Sequence, residues 1–261
     1  MAFAKLGDVE LFYTDEGEGG PPMLFVHGYT CDSHDWMWQL PHFTQTHRVI
    51  AVDLRGHGRS SVPADGFEPK VFAKDIAALL EQLDCGPVVA VGHSLGGVVV
   101  SALAIEHPEL VSAVVSVDPG YLVPDTVSSS LGSIREALQS DPVPTAQALL
   151  SRSYSPASPP YLKSWHMRRI AGVPAHVLFM TIMNLGSLAA RSASELYLRR
   201  RACPVLAIYA HEERVPVETA LFADPRSRAF AWPGSGHWLH QERPAEFNAV
   251  VESWLAEIGA A

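Results

Sequence analysis

The sequence predicts an α/β protein built on a mostly parallel, twisted sheet with helices on both faces. Three observations carry this. Short apolar, β-branched runs recur at 23–26, 48–52, 88–91, 113–117 and 205–209. Stretches with helical spacing alternate with them, and strand–helix alternation of this kind requires parallel strands joined by crossovers. A length of 261 residues with 48% hydrophobic and 18% charged residues is enough to bury a large core. Reactive groups are then expected beyond the C-terminal ends of the strands.

Taken in order, residues 2–6 and 9–13 flank Gly7-Asp8 and predict a hairpin. Glycines 17, 19 and 20 with Pro21-Pro22 make a loop into the buried strand 23–26. Trp36, Trp38, Leu40 and Phe43 suggest a short helix before strand 48–52. Apolar residues at 72, 76, 79, 80 and 83 predict a helix over 71–83. Strand 88–91, a helix over 97–106 and strand 113–117 follow. From about 122 to 200 the composition changes: prolines 124, 142, 144, 156, 159, 160 and 174 separate helical patches, with no strand pattern. Trp165, Met167, Phe179, Met180, Ile182 and Met183 make this region too apolar for free chain, so it reads as a helical insertion above the sheet. The sheet resumes at 205–209 and near 229–232. Phe247, Val250, Val251, Trp254, Leu255 and Ile258 form one stripe of a final amphipathic helix entered through Pro244. The expected division is a core from 1–121 and 201–261, interrupted by the insertion 122–200.

Net charge is −9, from 28 acidic against 19 basic residues, and no basic run is long enough to suggest nucleic-acid binding. Cys31, Cys85 and Cys203 are odd in number and far apart, without C-x-x-C pairs, so neither a zinc site nor a disulfide framework is expected. The N-terminus shows no basic segment followed by a long apolar one, and no apolar run reaches membrane-spanning length. The expectation is a cytoplasmic protein with no membrane partner, no metal and no cofactor. A homo-oligomer is left open.

The most informative segment is Gly92-His93-Ser94-Leu95-Gly96, a G-x-S-x-G between strand 88–91 and the following helix. A serine on such a sharp strand-to-helix turn presents its hydroxyl. Serine is a poor nucleophile at neutral pH and needs a base, and the base needs an acceptor that fixes its tautomer. His237, in Gly234-Ser235-Gly236-His237-Trp238 after the last strand, is the expected base. Two carboxylates follow strands and could orient it: Glu213 after 205–209 and Asp118 after 113–117, with Glu212 a weaker option. The Leu95 amide, in the first turn of the helix, is one oxyanion donor. The second is the amide of Tyr29, aimed by a tight turn at Gly28 in His27-Gly28-Tyr29-Thr30.

The ordered set His27-Gly28, Asp53-Leu54-Arg55-Gly56-His57-Gly58-Arg59-Ser60, Gly92-His93-Ser94-Leu95-Gly96-Gly97 and Gly236-His237 resembles the α/β-hydrolase superfamily over nearly the whole chain. The resemblance implies the α/β-hydrolase fold, with 122–200 as its helical lid and Asp53–Ser60 as a structural loop. The family usually carries Gly-x-x-Asp after the strand preceding the histidine, where this chain has Ala210-His211-Glu212-Glu213. Glu213 occupies the matching position and is the preferred acid; Asp118 is the alternative, because some members take their acid after the earlier strand. The activity implied is serine hydrolysis of a carboxylic ester or lactone through an acyl-enzyme. Carbon–carbon bond hydrolysis of the meta-cleavage-product type and cofactor-independent dioxygenation are the alternatives. Serine at the elbow argues against haloalkane dehalogenases and epoxide hydrolases, whose pattern has aspartate there.

Gly28, Trp165, His166, Met183 and Trp238 are the candidate substrate-binding residues, His166 as a donor to a substrate carbonyl. If they face the site, the partner is a small hydrophobic molecule, aromatic or a macrocyclic lactone.

Overall fold

The computed structural model describes residues 1–128 and 131–260. Its sheet has eight strands: β1 (Ala2–Leu6), β2 (Val9–Glu16), β3 (Met23–Val26), β4 (Val49–Val52), β5 (Val88–His93), β6 (Val111–Val117), β7 (Val205–Tyr209) and β8 (Arg228–Ala231). Their spatial order is β1-β2-β4-β3-β5-β6-β7-β8. β1–β2 and β2–β4 pair antiparallel, and the five remaining pairings are parallel.

The central strands are buried on both faces, which is why they read as continuous apolar runs without alternation. Leu24, Val26, Ile50, Val52 and Ala90 face the helices Pro69–Gln82 and Leu95–Glu106. The intervening residues Met23, Phe25, Val49, Ala51, Val89 and Val91 face Trp36, Phe43 and the final helix Pro244–Ile258 through Phe247 and Trp254. The stretch expected as one helix around Trp36–Phe43 is two short turns, a 3₁₀ turn Ser33–Trp36 and a helix Leu40–Phe43. The Asp32 carboxylate accepts the His34 amide at 2.9 Å and starts the first of them.

Between β6 and β7 the described residues form helices Asp125–Ser128, Leu131–Ser140, Pro142–Leu150, Pro160–Gly172, Ala175–Ala189 and Arg191–Leu198. Prolines 142 and 160 sit at first helical positions, where the missing N–H costs nothing. Leu162, Ile170, Val177 and Leu178 are buried, so the insertion packs on the rest of the chain.

Asp53–Ser60 is an internally bonded turn. The Asp53 carboxylate accepts the amides of Ser33 (2.7 Å) and Arg59 (2.9 Å), and the Ser60 hydroxyl donates to the Asp53 carbonyl at 2.5 Å. All three cysteines are free thiols. Among the described residues no helix is long and apolar enough to cross a membrane.

Candidate functional site

β5 runs into the helix Leu95–Glu106 through Ser94, whose backbone has φ 53° and ψ −113°. A left-handed non-glycine residue is strained and persists only where its surroundings hold it. Here the Ser94 amide donates to the Val117 carbonyl at 2.9 Å, and its own carbonyl accepts from Gly97 (3.1 Å) and Gly120 (3.1 Å). The two glycines of the pentapeptide follow from close packing. A Cβ on Gly92 would meet the Gly96 carbonyl oxygen, and one on Gly96 would meet that of Val26. Helix and strand cross so tightly at the elbow that no side chain fits between them.

Ser94 is half-buried, whereas Leu95 behind it is fully buried. The Leu95 N–H is the first of its helix and has no acceptor within that helix. Gly28 lies directly against the elbow: a Cβ there would sit 2.8 Å from His93 Nδ1 and 3.2 Å from Ser94 Cβ. Tyr29 follows, its hydroxyl donating to the Leu178 carbonyl of the insertion at 2.8 Å.

The His237 Nδ1 lies 2.5 Å from Asp118 Oδ2. A carboxylate can only accept, so Nδ1 carries a proton, and in the neutral imidazole Nε2 is the atom with the lone pair. The His237 amide donates to the Ser153 carbonyl at 2.7 Å, and its carbonyl accepts from His93 Nε2 at 3.0 Å. The rings of His93, the residue before Ser94, and His237 are 4.6 Å apart. The candidate base is thus held by its side chain and both of its backbone polar groups, beside the elbow.

This geometry corrects the preferred acid. Asp118, not Glu213, meets the imidazole. Glu213 lies in the 3₁₀ turn Glu212–Arg214 and is exposed, lining an outer depression with Arg191, Glu195 and Arg199. Its neighbour Arg214 reaches the site instead. Arg214 Nη2 donates to Asp118 Oδ1 at 2.7 Å while Nη1 donates to the carbonyls of Pro119 (2.7 Å) and Tyr121 (3.2 Å). The Ala210 amide adds a donor to Oδ1 at 3.3 Å. Burial pushes the Asp118 carboxyl up, but the hydrogen bond and charge of His237 and the Arg214 guanidinium outweigh it and hold it well below the usual carboxylate range. Asp118 itself has φ 38°, like Ser94 a non-glycine residue in left-handed geometry, just after β6.

Three of the five expected substrate contacts are occupied by internal partners. His166 accepts the Tyr154 hydroxyl on Nδ1 (2.8 Å) and donates from Nε2 to Gln241 Oε1 (3.2 Å). Burial lowers it to about 4, so it is a neutral, fully bonded core histidine and not a free donor to substrate. Trp238 is buried and stacked on His166 at 4.2 Å and Tyr154 at 4.9 Å. Trp165 packs edge-on against His34. Met183 is half-buried against the core cluster beneath the insertion, and Gly28 lies against the elbow. A cavity of about 380 Å³ opens beside the His237–Asp118 pair, lined by Tyr154, His211 and Gly236 among others.

Among the described residues, Asp35, His93 and His240 form a buried group whose nitrogen and oxygen atoms lie within 4.8 Å of one another. The Arg169 guanidinium already reaches Asp35 Oδ1 at 3.1 Å and supplies the counter-charge, so the donor set has no deficit of positive charge for a cation to fill.

Sequence reasoning missed Arg214, Tyr154 and Asp35. Arg214 acts on Asp118 across 96 positions and Asp35 meets Gln241 across 206, and no local pattern announces such pairings.

Comparison with known proteins agrees with this architecture. The family model for the alpha/beta hydrolase fold matches residues 21–244. The dihydrolipoyllysine-residue acetyltransferase component of the acetoin cleaving system of Cupriavidus necator is 26% identical over 97% of this chain and 68% of its own length. A non-heme chloroperoxidase of Streptomyces lividans is 45% identical, over 33% of this chain and only 32% of its own length. Among solved structures, Est816, described as an N-acyl homoserine lactone degrading enzyme, superposes with a TM-score of 0.82 at 26% identity, covering 97% of this chain and 99% of that one. The strained serine elbow, the parallel sheet and the family match over most of the chain lead to one conclusion: this protein is a member of the α/β-hydrolase family.

Proposed function

We propose that the protein is a serine hydrolase of carboxylic esters or lactones of small hydrophobic molecules. Ser94 Oγ attacks the acyl carbon while His237 Nε2 takes its proton, and Asp118 holds the imidazole tautomer and stabilises the imidazolium. The amides of Tyr29 and Leu95 receive the developing oxyanion. His237 then returns the proton to the leaving alkoxide, and water, activated by the same nitrogen, releases the acid. The observation that carries this reading is the 2.5 Å Asp118–His237 bond, which supports the neutral tautomer with Nε2 as the base. The lactone-degrading relative supports the substrate class. Residues 122–200 act as the lid, and no cofactor is needed for these steps.

The position of Asp118 also favours a second reading, a cofactor-independent dioxygenase of the same fold, which uses a histidine with an acid after this earlier strand. A panel of a nitrophenyl ester, a lactone and a vinylogous diketone separates the readings, assayed with wild type and Ser94→Ala in air and under argon. Ester or lactone turnover that is lost in Ser94→Ala and indifferent to oxygen is the expected result. Turnover of the diketone alone, or oxygen-dependent activity that survives Ser94→Ala, would overturn it.

A further inference from the structure

Asp35 is remote from the chemistry in sequence, fully buried, and ionised: burial raises its carboxyl, but His240, His93 and Arg169 hold it well below the usual range. Keeping a charge in the interior is costly unless its partners exploit it. Two of its neighbours, Gln241 and His240, lie on the chain just after His237. Oδ1 accepts from Gln241 Nε2 at 2.6 Å and Arg169 Nη1 at 3.1 Å, and the Asp35 carbonyl takes the same Gln241 amide at 3.1 Å. Gln241 lies in the short helix Leu239–Glu242 that immediately follows His237 and Trp238. Oδ2 lies 3.5 Å from His93 Nδ1 and 3.6 Å from His240 Nε2.

The proton placements follow from the acceptors. The His237 carbonyl can only accept, so His93 bears its proton on Nε2. Gln241 spends its amide hydrogens on Asp35, so its Oε1 must accept, which puts the His166 proton on Nε2 and lets Tyr154 donate to Nδ1. Directed bonds thus run from Tyr154 through His166 and Gln241 to Asp35, while His93 connects the elbow to the carbonyl of His237.

We propose that Asp35 is a positioning residue for His237, acting through Gln241. It fixes the turn after His237 against a buried carboxylate, and so sets where the base sits relative to Ser94. The proposal rests on the reading of Ser94 and His237 as nucleophile and base. Misplacing a reacting group by about 1 Å costs about 100-fold in rate.

The test compares Asp35→Ala, Asp35→Asn, Gln241→Leu and the double variant Asp35→Ala/Gln241→Leu on a nitrophenyl ester. Rates are normalised to active sites titrated with a phosphonate ester. The expected result is a kcat about 100-fold lower for Asp35→Ala with KM within about twofold, because ground-state binding is untouched. The basic imidazole limb of its pH–rate profile also moves. Asp35→Asn, which keeps an acceptor for Gln241 and Arg169, recovers most of the rate, and the double variant is no worse than the poorer single one. The low-field proton resonance of the Asp118–His237 bond shifts in Asp35→Ala, a readout that needs no turnover. An unchanged rate per active site and unmoved pH limb in Asp35→Ala, or losses that multiply in the double variant, would overturn the proposal. Failure of wild type to be titrated at Ser94 would instead overturn the hydrolase reading, and the proton resonance would still report on Asp35.

Discussion

Replacing Asp118 with Asn removes one charge and no volume, and the surroundings dictate how the new amide sits. Oδ1 faces two donors, Arg214 Nη2 at 2.7 Å and the Ala210 amide at 3.3 Å. The Asn carbonyl must therefore take that side, which turns its NH₂ toward His237 Nδ1, now the atom that has to accept. His237 then carries its proton on Nε2 and cannot receive the serine proton. The expected loss in kcat is about 10⁴-fold, equivalent to about 5.5 kcal/mol of transition-state stabilisation. KM should change little, and Glu213→Gln should stay within about threefold of wild type, because Glu213 is exposed and away from the imidazole. The assay is steady-state hydrolysis of a nitrophenyl ester, with far-UV circular dichroism to show that Asp118→Asn is folded. Asp118→Asn above a tenth of wild-type kcat, or an equal loss in Glu213→Gln, would refute the assignment.

Other outcomes follow from single contacts. Gly96→Ala drives a methyl into the Val26 carbonyl, between backbone segments that cannot yield, and should cost about 3 kcal/mol by urea unfolding; a loss under about 1 kcal/mol would contradict the packing argument. Arg201→Met leaves Glu218, bonded at 2.7 Å and buried, without its cation, so about 3–5 kcal/mol should be lost and the thermal midpoint should fall. His166, lowered to about 4 in the fold against 6.5 ordinarily, binds a proton only in the unfolded chain between those pH values. Stability therefore falls as pH drops through that window, by about 2 kcal/mol from this residue between pH 7 and 5. Urea midpoints of His166→Gln should show a correspondingly shallower acid slope, and an identical slope would contradict the burial of a neutral imidazole.

The sheet was legible because its central strands are short β-branched runs buried on both faces, and a run such as Met23–Val26 has no competing helical pattern. The elbow was legible because two glycines are forced by backbone contact at fixed spacing around Ser94. The acid was not. Glu213 and Asp118 both end strands, and the choice depends on which loop turns inward, which is decided by Arg214 bonding the carbonyls of Pro119 and Tyr121. Spacing carries no record of that. His166 and Trp238 misled for a related reason: an aromatic or imidazole near a reactive residue looks the same in sequence whether it faces substrate or stacks at 4.2 Å on its neighbour. The short turns around Ser33–Phe43 were blurred into one helix, because Asp32 capping splits them and a window of apolar residues does not register a cap.

The central claim is that the Ser94 hydroxyl is activated by an imidazole held by Asp118. Intact-protein mass spectrometry after treatment with a 4-nitrophenyl phosphonate tests it most directly. One covalent adduct, mapped to Ser94, forming in step with loss of esterase activity and absent in Ser94→Ala and His237→Ala, is the result expected. Esterase activity that persists while Ser94 stays unmodified, or an adduct on another residue, would contradict it.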